Sequence, residues 1–193
     1  MTEDEEARSE LSGNYNTSCV SSVVIDSSKY IMSTFSSTYS SDANAIKLIN
    51  TISSDANCKE KFVTFEQAGS LEIGAVDGDT DTLLTSSIAY NDTTVQAYKT
   101  NIYLTNTYIT PHTEDAADLL TSIFGGAEIF TSGQAVNISD IQGTYFPDLP
   151  DLNTWLYILI YRTGNMLIAN DFTTNASQRT NSELKTDSPW IQD

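Results

Sequence analysis

Apolar and polar residues alternate along much of this chain, and a period of two predicts half-buried β-strands. The clearest run is 154–161. Trp155, Tyr157, Leu159 and Tyr161 point one way, and Leu156, Ile158 and Ile160 point the other. Both faces are apolar, so each needs a cover. A sheet interior would take one face and a nearby helix the other.

Further strands are expected at 30–39, 62–65, 71–73 and 83–90. The 62–65 and 71–73 runs flank Gly69-Ser70, which reads as a hairpin or a bulge. Asn91-Asp92 is a turn, and 93–109 supplies one long strand or two short ones. There Tyr98, Ile102, Leu104 and Tyr108 share the apolar side. Short strands are expected at 127–130 and 135–138. Gly164-Asn165 turns the 154–161 strand into a hairpin with 166–169, and 183–191, with Trp190, closes the sheet. The periodicity of 45–52 does not decide between a turn and a strand.

Only 114–124 has helical spacing, through Ala116, Leu119, Leu120 and Ile123. Thr113 is the expected N-cap and Gly125 the stop. The fold class that follows is mostly β: an antiparallel up-and-down barrel with one short helix, occupying 11–193. Residues 1–10, acidic and polar, read as a disordered tether and not as a signal peptide.

Charge narrows the partners. Nine basic residues against 26 acidic ones give a net charge of -17. Without a Lys/Arg cluster, nucleic acid is excluded as a partner. No apolar run reaches the length of a membrane span. The two cysteines, Cys19 and Cys58, lack metal-site spacing and read as one disulfide in an oxidising compartment. Closing roughly 40 residues, such a bridge is worth about 4 kcal/mol.

The duplicated Ser-Ser-Asp-Ala-Asn at 40–44 and 53–57 is too short for a solenoid unit. Several segments resemble a family of small lipocalin-like bacterial lipoproteins. Leu11-Ser12-Gly13-Asn14-Tyr15 followed by Cys19 is similar to the family's opening strand, with Tyr15 where Trp is preferred. Ser54-Asp55-Ala56-Asn57-Cys58 followed by Gly69 is similar to its Ser-Asp-x-x-Cys segment. The 161–169 hairpin followed by Arg179 is similar to the family's closing elements. The resemblance implies a barrel anchored or secreted outside the cytoplasm, with a capacity for apolar ligands.

Candidate chemistry is sparse. Asp77, Asp79 and Asp81 resemble the start of a calcium loop. EF-hand spacing would need Gly and Glu where Thr82 and Ile88 stand. His112, the single histidine, precedes the helix in a loop and belongs to no triad or zinc motif. Glu66 and Glu72 flank Gly69 and would approach one another only in a hairpin. Sequons at Asn16, Asn91, Asn137 and Asn175 are expected by chance in a Ser/Thr-rich chain. Tyr15, Tyr30, Tyr98, Tyr103, Trp155 and Tyr157 are the aromatics expected to line a cavity.

No cofactor is implied. The expectation is a non-enzymatic module that binds a small apolar ligand, or else a surface interaction or adhesion module, a β-sandwich or a filled barrel, with no small-molecule ligand. A hydrolase would require two carboxylates facing one cleft.

Overall fold

The computed structural model describes residues 3–25, 27–39 and 44–192. Helix α1 (Glu3–Leu11) leads into β1 (Gly13–Asn16), β2 (Val20–Ser22), β3 (Lys29–Tyr39), β4 (Asn44–Ser53), β5 (Lys61–Ile73), β6 (Thr85–Tyr90) and β7 (Thr93–Pro111). Helix α2 (Glu114–Ile123), β8 (Val136–Asn137) and the single-turn helix α3 (Gln142–Tyr145) follow. Then come β9 (Trp155–Thr163), β10 (Met166–Ala169) and β11 (Trp190–Gln192).

Eight of these strands form a closed ring in the order β1, β3, β4, β5, β7, β9, β10, β11, with β11 pairing back to β1. Every pairing is antiparallel and every neighbour is the next ring strand in the chain. This is the expected up-and-down barrel. The undecided 45–52 stretch is strand β4, and 93–109 is one long strand. The 127–130 segment forms no strand. The first copy of the repeat lies largely outside the described residues.

Paired residues share a face, so the register names the interior. Tyr15 pairs with Phe35, Phe35 with Leu48, Leu48 with Gln67, and Gln67 with Thr107. At one end of the barrel Leu11, Tyr15, Phe35, Ile46, Leu71, Leu104 and Ile160 pack into a core. At the other, Ile52, Val63, Phe65 and Ile109 pack against Leu120, Phe124 and Phe146. A polar layer separates them. Gln142 of α3 reaches the interior, where Gln67 Nε2 donates to its Oε1 at 3.1 Å and to the Pro150 carbonyl at 2.8 Å. Side chains thus fill the middle of the barrel.

Three expectations need correction. First, residues 3–11 are a helix and not a disordered tether. Glu3, Glu5 and Glu6 favour a helix N-terminus, and Ala7 and Leu11, one turn apart, are wholly buried. Leu11 stoppers the barrel end. Tyr98 Oη donates to Glu10 Oε2 at 2.7 Å, and Arg162 Nη1 donates to the Glu10 carbonyl.

Second, α2 does not cover the outer face of β9. Its buried Ala116, Ala117 and Leu120 close the far barrel end. Leu159 is covered instead by Ile88, Ala97, Ile168 and Leu184. Nor is α2 the only helix, since α1, α3 and a 3-10 turn at Ala176–Gln178 accompany it. The α2 cap is as expected, with Thr113 Oγ1 accepting from Ala116 N at 3.1 Å.

Third, Tyr108 does not share the face of Ile102 and Leu104; of the two readings at Gly69-Ser70 the bulge holds, with Gly69 of β5 opposite a bulge in β7. Ala68 pairs with Asn106 but Gly69 with Leu104, so Thr105 is the extra residue. The bulge turns Tyr108 away from the face of Ile102 and Leu104, and Ile109 points inward instead.

Candidate functional site

An apolar recess at one barrel opening lies beneath residues 145–149. Its floor consists of inward-facing strand residues: Ile31 of β3, Asn50 and Ile52 of β4, and Phe65 of β5. Its roof is the segment after α3, where Phe146 meets Phe65 edge-on at 4.7 Å between centroids and Tyr145 stacks on Phe124 at 4.2 Å. Pro147 and Pro150 bracket this segment and favour extended backbone there. Val24, on the turn after β2, forms the rim.

The cavity measures about 210 Å³. Drug-sized ligands occupy sites of roughly 300–1,000 Å³, so this recess is too small for them. It is larger than the roughly 150 Å³ apolar cavity that holds benzene. Its chemistry is that of a pocket for one compact apolar group. The only polar side chain of its floor, Asn50, already accepts from Ser33 Oγ at 2.6 Å. A wider recess of about 470 Å³ over α1 is lined by Ser9, Glu10, Arg162 and Gln192 and is polar.

The six aromatics chosen from the sequence do not come together around one cavity. Tyr15 and Tyr98 face the interior, and both phenols titrate above their usual range, chiefly through burial. Tyr15 Oη donates to the carbonyls of Glu10 and Ser12, at 3.1 and 3.2 Å. Tyr103 and Trp155 pair on the outer wall at 5.2 Å. Tyr157, also outside, lies under the Arg179 guanidinium at 5.1 Å. Tyr30 pairs with Ser53, on the face opposite Ile31 and Ile52. None of the six lines the mouth recess.

The acidic loop does not converge either. Asp79 is buried against Arg179 at 3.3 Å, Asp81 bonds Lys99 at 2.5 Å, and Asp77 is exposed. Two of the three carboxylates are already neutralised by cations. Among the described residues no group of three or more acidic, His or Cys side chains has a metal-binding arrangement.

Glu66 and Glu72 lie six residues apart on one strand, about 20 Å along it, so they are not a carboxylate pair. Glu66 instead bonds Lys47 at 2.9 Å. His112 Nε2 lies 2.8 Å from Thr64 Oγ1, away from the recess. Burial, then the Lys61 charge, lowers its pKa.

Cys19 and Cys58 are bonded, with Cα atoms 5.8 Å apart. The bridge ties the start of β2 to the β4–β5 turn. That turn is built by Asp55, whose carboxylate accepts from the backbone N–H groups of Lys59 at 2.8 Å and Glu60 at 2.7 Å.

Sequence reasoning missed the mouth residues because they come from separate segments of no common motif. The one available signal was the Phe146-Pro147 to Leu149-Pro150 stretch, an apolar segment that cannot continue a helix. No family model matches this chain, and no curated protein matches it in sequence.

Proposed function

We propose that this chain is a non-enzymatic, lipocalin-like binding module, secreted or lipid-anchored outside the cytoplasm, whose barrel mouth takes a compact apolar molecule. The observation that carries this reading is the mouth recess, in which Ile31, Ile52 and Phe65 of the barrel interior face Phe146 and Leu149. The volume of about 210 Å³ calls for a ligand of benzene-to-naphthalene size. Compartment is argued from the Cys19–Cys58 bridge, since disulfides persist where the medium is oxidising.

Methyl-resolved NMR during titration with naphthalene is the test. The reading expects saturable shifts at Ile31 and Ile52, and loss of the Ile52 shift in Ile31→Phe, which fills the recess. Unshifted Ile31 and Ile52 methyls at saturating naphthalene would end it.

A second reading, surface interaction, draws on Val20, Val23 and Val24. They are 54%, 83% and 47% exposed on one short segment next to the disulfide. This reading expects Val23→Asp to abolish capture of a protein partner while naphthalene binding is unchanged.

A further inference from the structure

Among the described residues three strands lie outside the closed ring, each paired with one neighbour: β2 with β3, β8 with β7 and β6 with β7. β2 and β8 have three and two residues, whereas β6 has six. Very short edge strands recruit other strands poorly, so β6 is the edge with most to offer. Its pairing with β7 runs from Thr85 and Tyr98 to Tyr90 and Thr93 without a register shift.

The register shows which backbone groups of β6 are spent. Asn91 and Asp92 have positive φ, 46° and 61°, and make a two-residue turn closed by Tyr90 and Thr93. Hydrogen-bonded pairs alternate down such a hairpin, and the Lys99 N–H, donating to the Leu84 carbonyl at 2.9 Å, keeps that phase. Ser86, Ile88 and Tyr90 therefore bond β7. Thr85, Ser87 and Ala89 direct their N–H and C=O groups to the opposite edge, where no strand among the described residues meets them. Ser87 and Ala89 are exposed.

Exposed edges are ordinarily guarded by charge, proline, a bulge or brevity. β6 has none of these. Residues 83–91 carry no charge and no proline, in a chain of net charge -17.

We propose that β6 pairs antiparallel with β6 of a second copy of this chain, about a two-fold axis at Ser87. The register is self-complementary, which singles out a second copy as the occupant. Ser87 meets Ser87 of the other copy and Thr85 meets Ala89, so the unspent residues of each strand satisfy one another. Their side chains are small and leave the approach open. The contact is also locally neutral: Asp81, the acid before the strand, is bonded to Lys99. Repulsion between more distant acids is screened beyond about 8 Å at physiological salt. One six-residue pair buries less than the roughly 1,000 Å² of a stable interface, so the dimer is weak and follows protein concentration. The contact uses neither the mouth recess nor residues 20–24.

Sedimentation velocity of the full chain from micromolar to millimolar concentration is the test, with amide NMR over the same range. A monomer–dimer equilibrium is expected, strengthened as salt rises from ~0.05 to ~0.5 M because repulsion between the acidic copies is screened. The Thr85, Ser87 and Ala89 amide resonances are expected to move with concentration. Ser87→Pro removes the central N–H, which the β6–β7 ladder does not use. It is expected to weaken the dimer about tenfold or more, since each copy loses a hydrogen bond. Ser87→Lys supplies the missing guard charge and is expected to act likewise; it decides alone should the proline variant fail to fold.

A monomer at millimolar concentration overturns the proposal and leaves the edge to a strand of another protein. A dimer that weakens as salt rises, or that Ser87→Lys leaves intact, overturns it too, because its interface then lies elsewhere.

Discussion

Arg179 and Asp79 are 100 residues apart in sequence and meet on the outside of the barrel, Nη2 to Oδ2 at 3.3 Å, with side chains only 2% and 4% exposed. Arg179 also donates to Asn101 Oδ1 at 2.9 Å and lies over the Tyr157 ring. Asp79 accepts from Val76 N at 2.8 Å. The pair fastens the β5–β6 loop to the segment between β10 and β11.

Removing one member leaves a buried charge without its partner, a loss typically of about 3–5 kcal/mol. Asp79→Ala is therefore expected to lower unfolding free energy by about 3 kcal/mol in urea titration. Millimolar calcium is expected to leave the wild-type Tm unchanged, because the Asp79 and Asp81 carboxylates are occupied. A calcium-dependent rise in Tm would contradict that assignment.

Leu11 should behave as a core residue despite its place in an acidic segment. It packs with Tyr15, Phe35 and Ile46 at the barrel end. Leu11→Ala is expected to cost about 2–4 kcal/mol through lost burial and the cavity left behind. Hydrogen exchange should show α1 amides protected in the wild type and exchanging freely in the variant. Equal exchange in both would mean the helix does not plug the barrel.

Acid should loosen the turn that carries Cys58. The Asp55 carboxyl titrates below its ordinary value of 3.8, first because Glu60 N–H bonds it and then through Asn57 and Lys59. A group with a depressed folded pKa contributes stability that is whole above the unfolded value and lost as pH falls through the folded one. The stability curve should therefore steepen below about pH 4, and Asp55→Asn should flatten that limb. Carbon-detected NMR titration of Asp55 checks the shift, and a midpoint at the ordinary value would refute it.

Gly69 is the position least able to carry a side chain. A Cβ there would lie 2.0 Å from the Tyr103 carbonyl oxygen and 2.7 Å from Leu104 Cα. Both obstacles are backbone, so relief requires β5 and β7 to part at the bulge. Gly69→Ala is expected to destabilise the barrel by roughly 3 kcal/mol or more, among the larger single-site effects. Gly78→Ala meets nothing within 4 Å and serves as the control, with a smaller loss from its positive φ alone. Calorimetry of the two variants makes the comparison.

What the sequence revealed and what it concealed follow from the range of the interactions. The inward Leu156, Ile158 and Ile160 of β9 and the Thr113 cap were legible, because period two and a capping bond are local. A bulge was legible at Gly69 as one of two readings, but the extra residue, Thr105, was not, because only pairing with Ala68 and Gly69 exposes it; Tyr108 was misassigned as a result. Helix α1 was hidden for a related reason. Its composition favours solvent, and its order comes from partners such as Arg162 and Tyr98, far along the chain. The mouth recess draws on β3, β4, β5 and the 145–149 segment, so no single window of sequence contained it. Asp79 was readable as an acid but not as an ion-pair partner, since Arg179 reaches it only through the tertiary fold.

The seam of the cylinder also fixes when it can form. Residues 190–192 complete the ring by joining β10 to β1, so a chain emerging from a ribosome or a translocation pore is an open sheet until they appear. Throughout that interval β1 and β10 each present a bare edge, the kind of edge that recruits other strands. A chain halted a few residues before Trp190 should aggregate rather than wait.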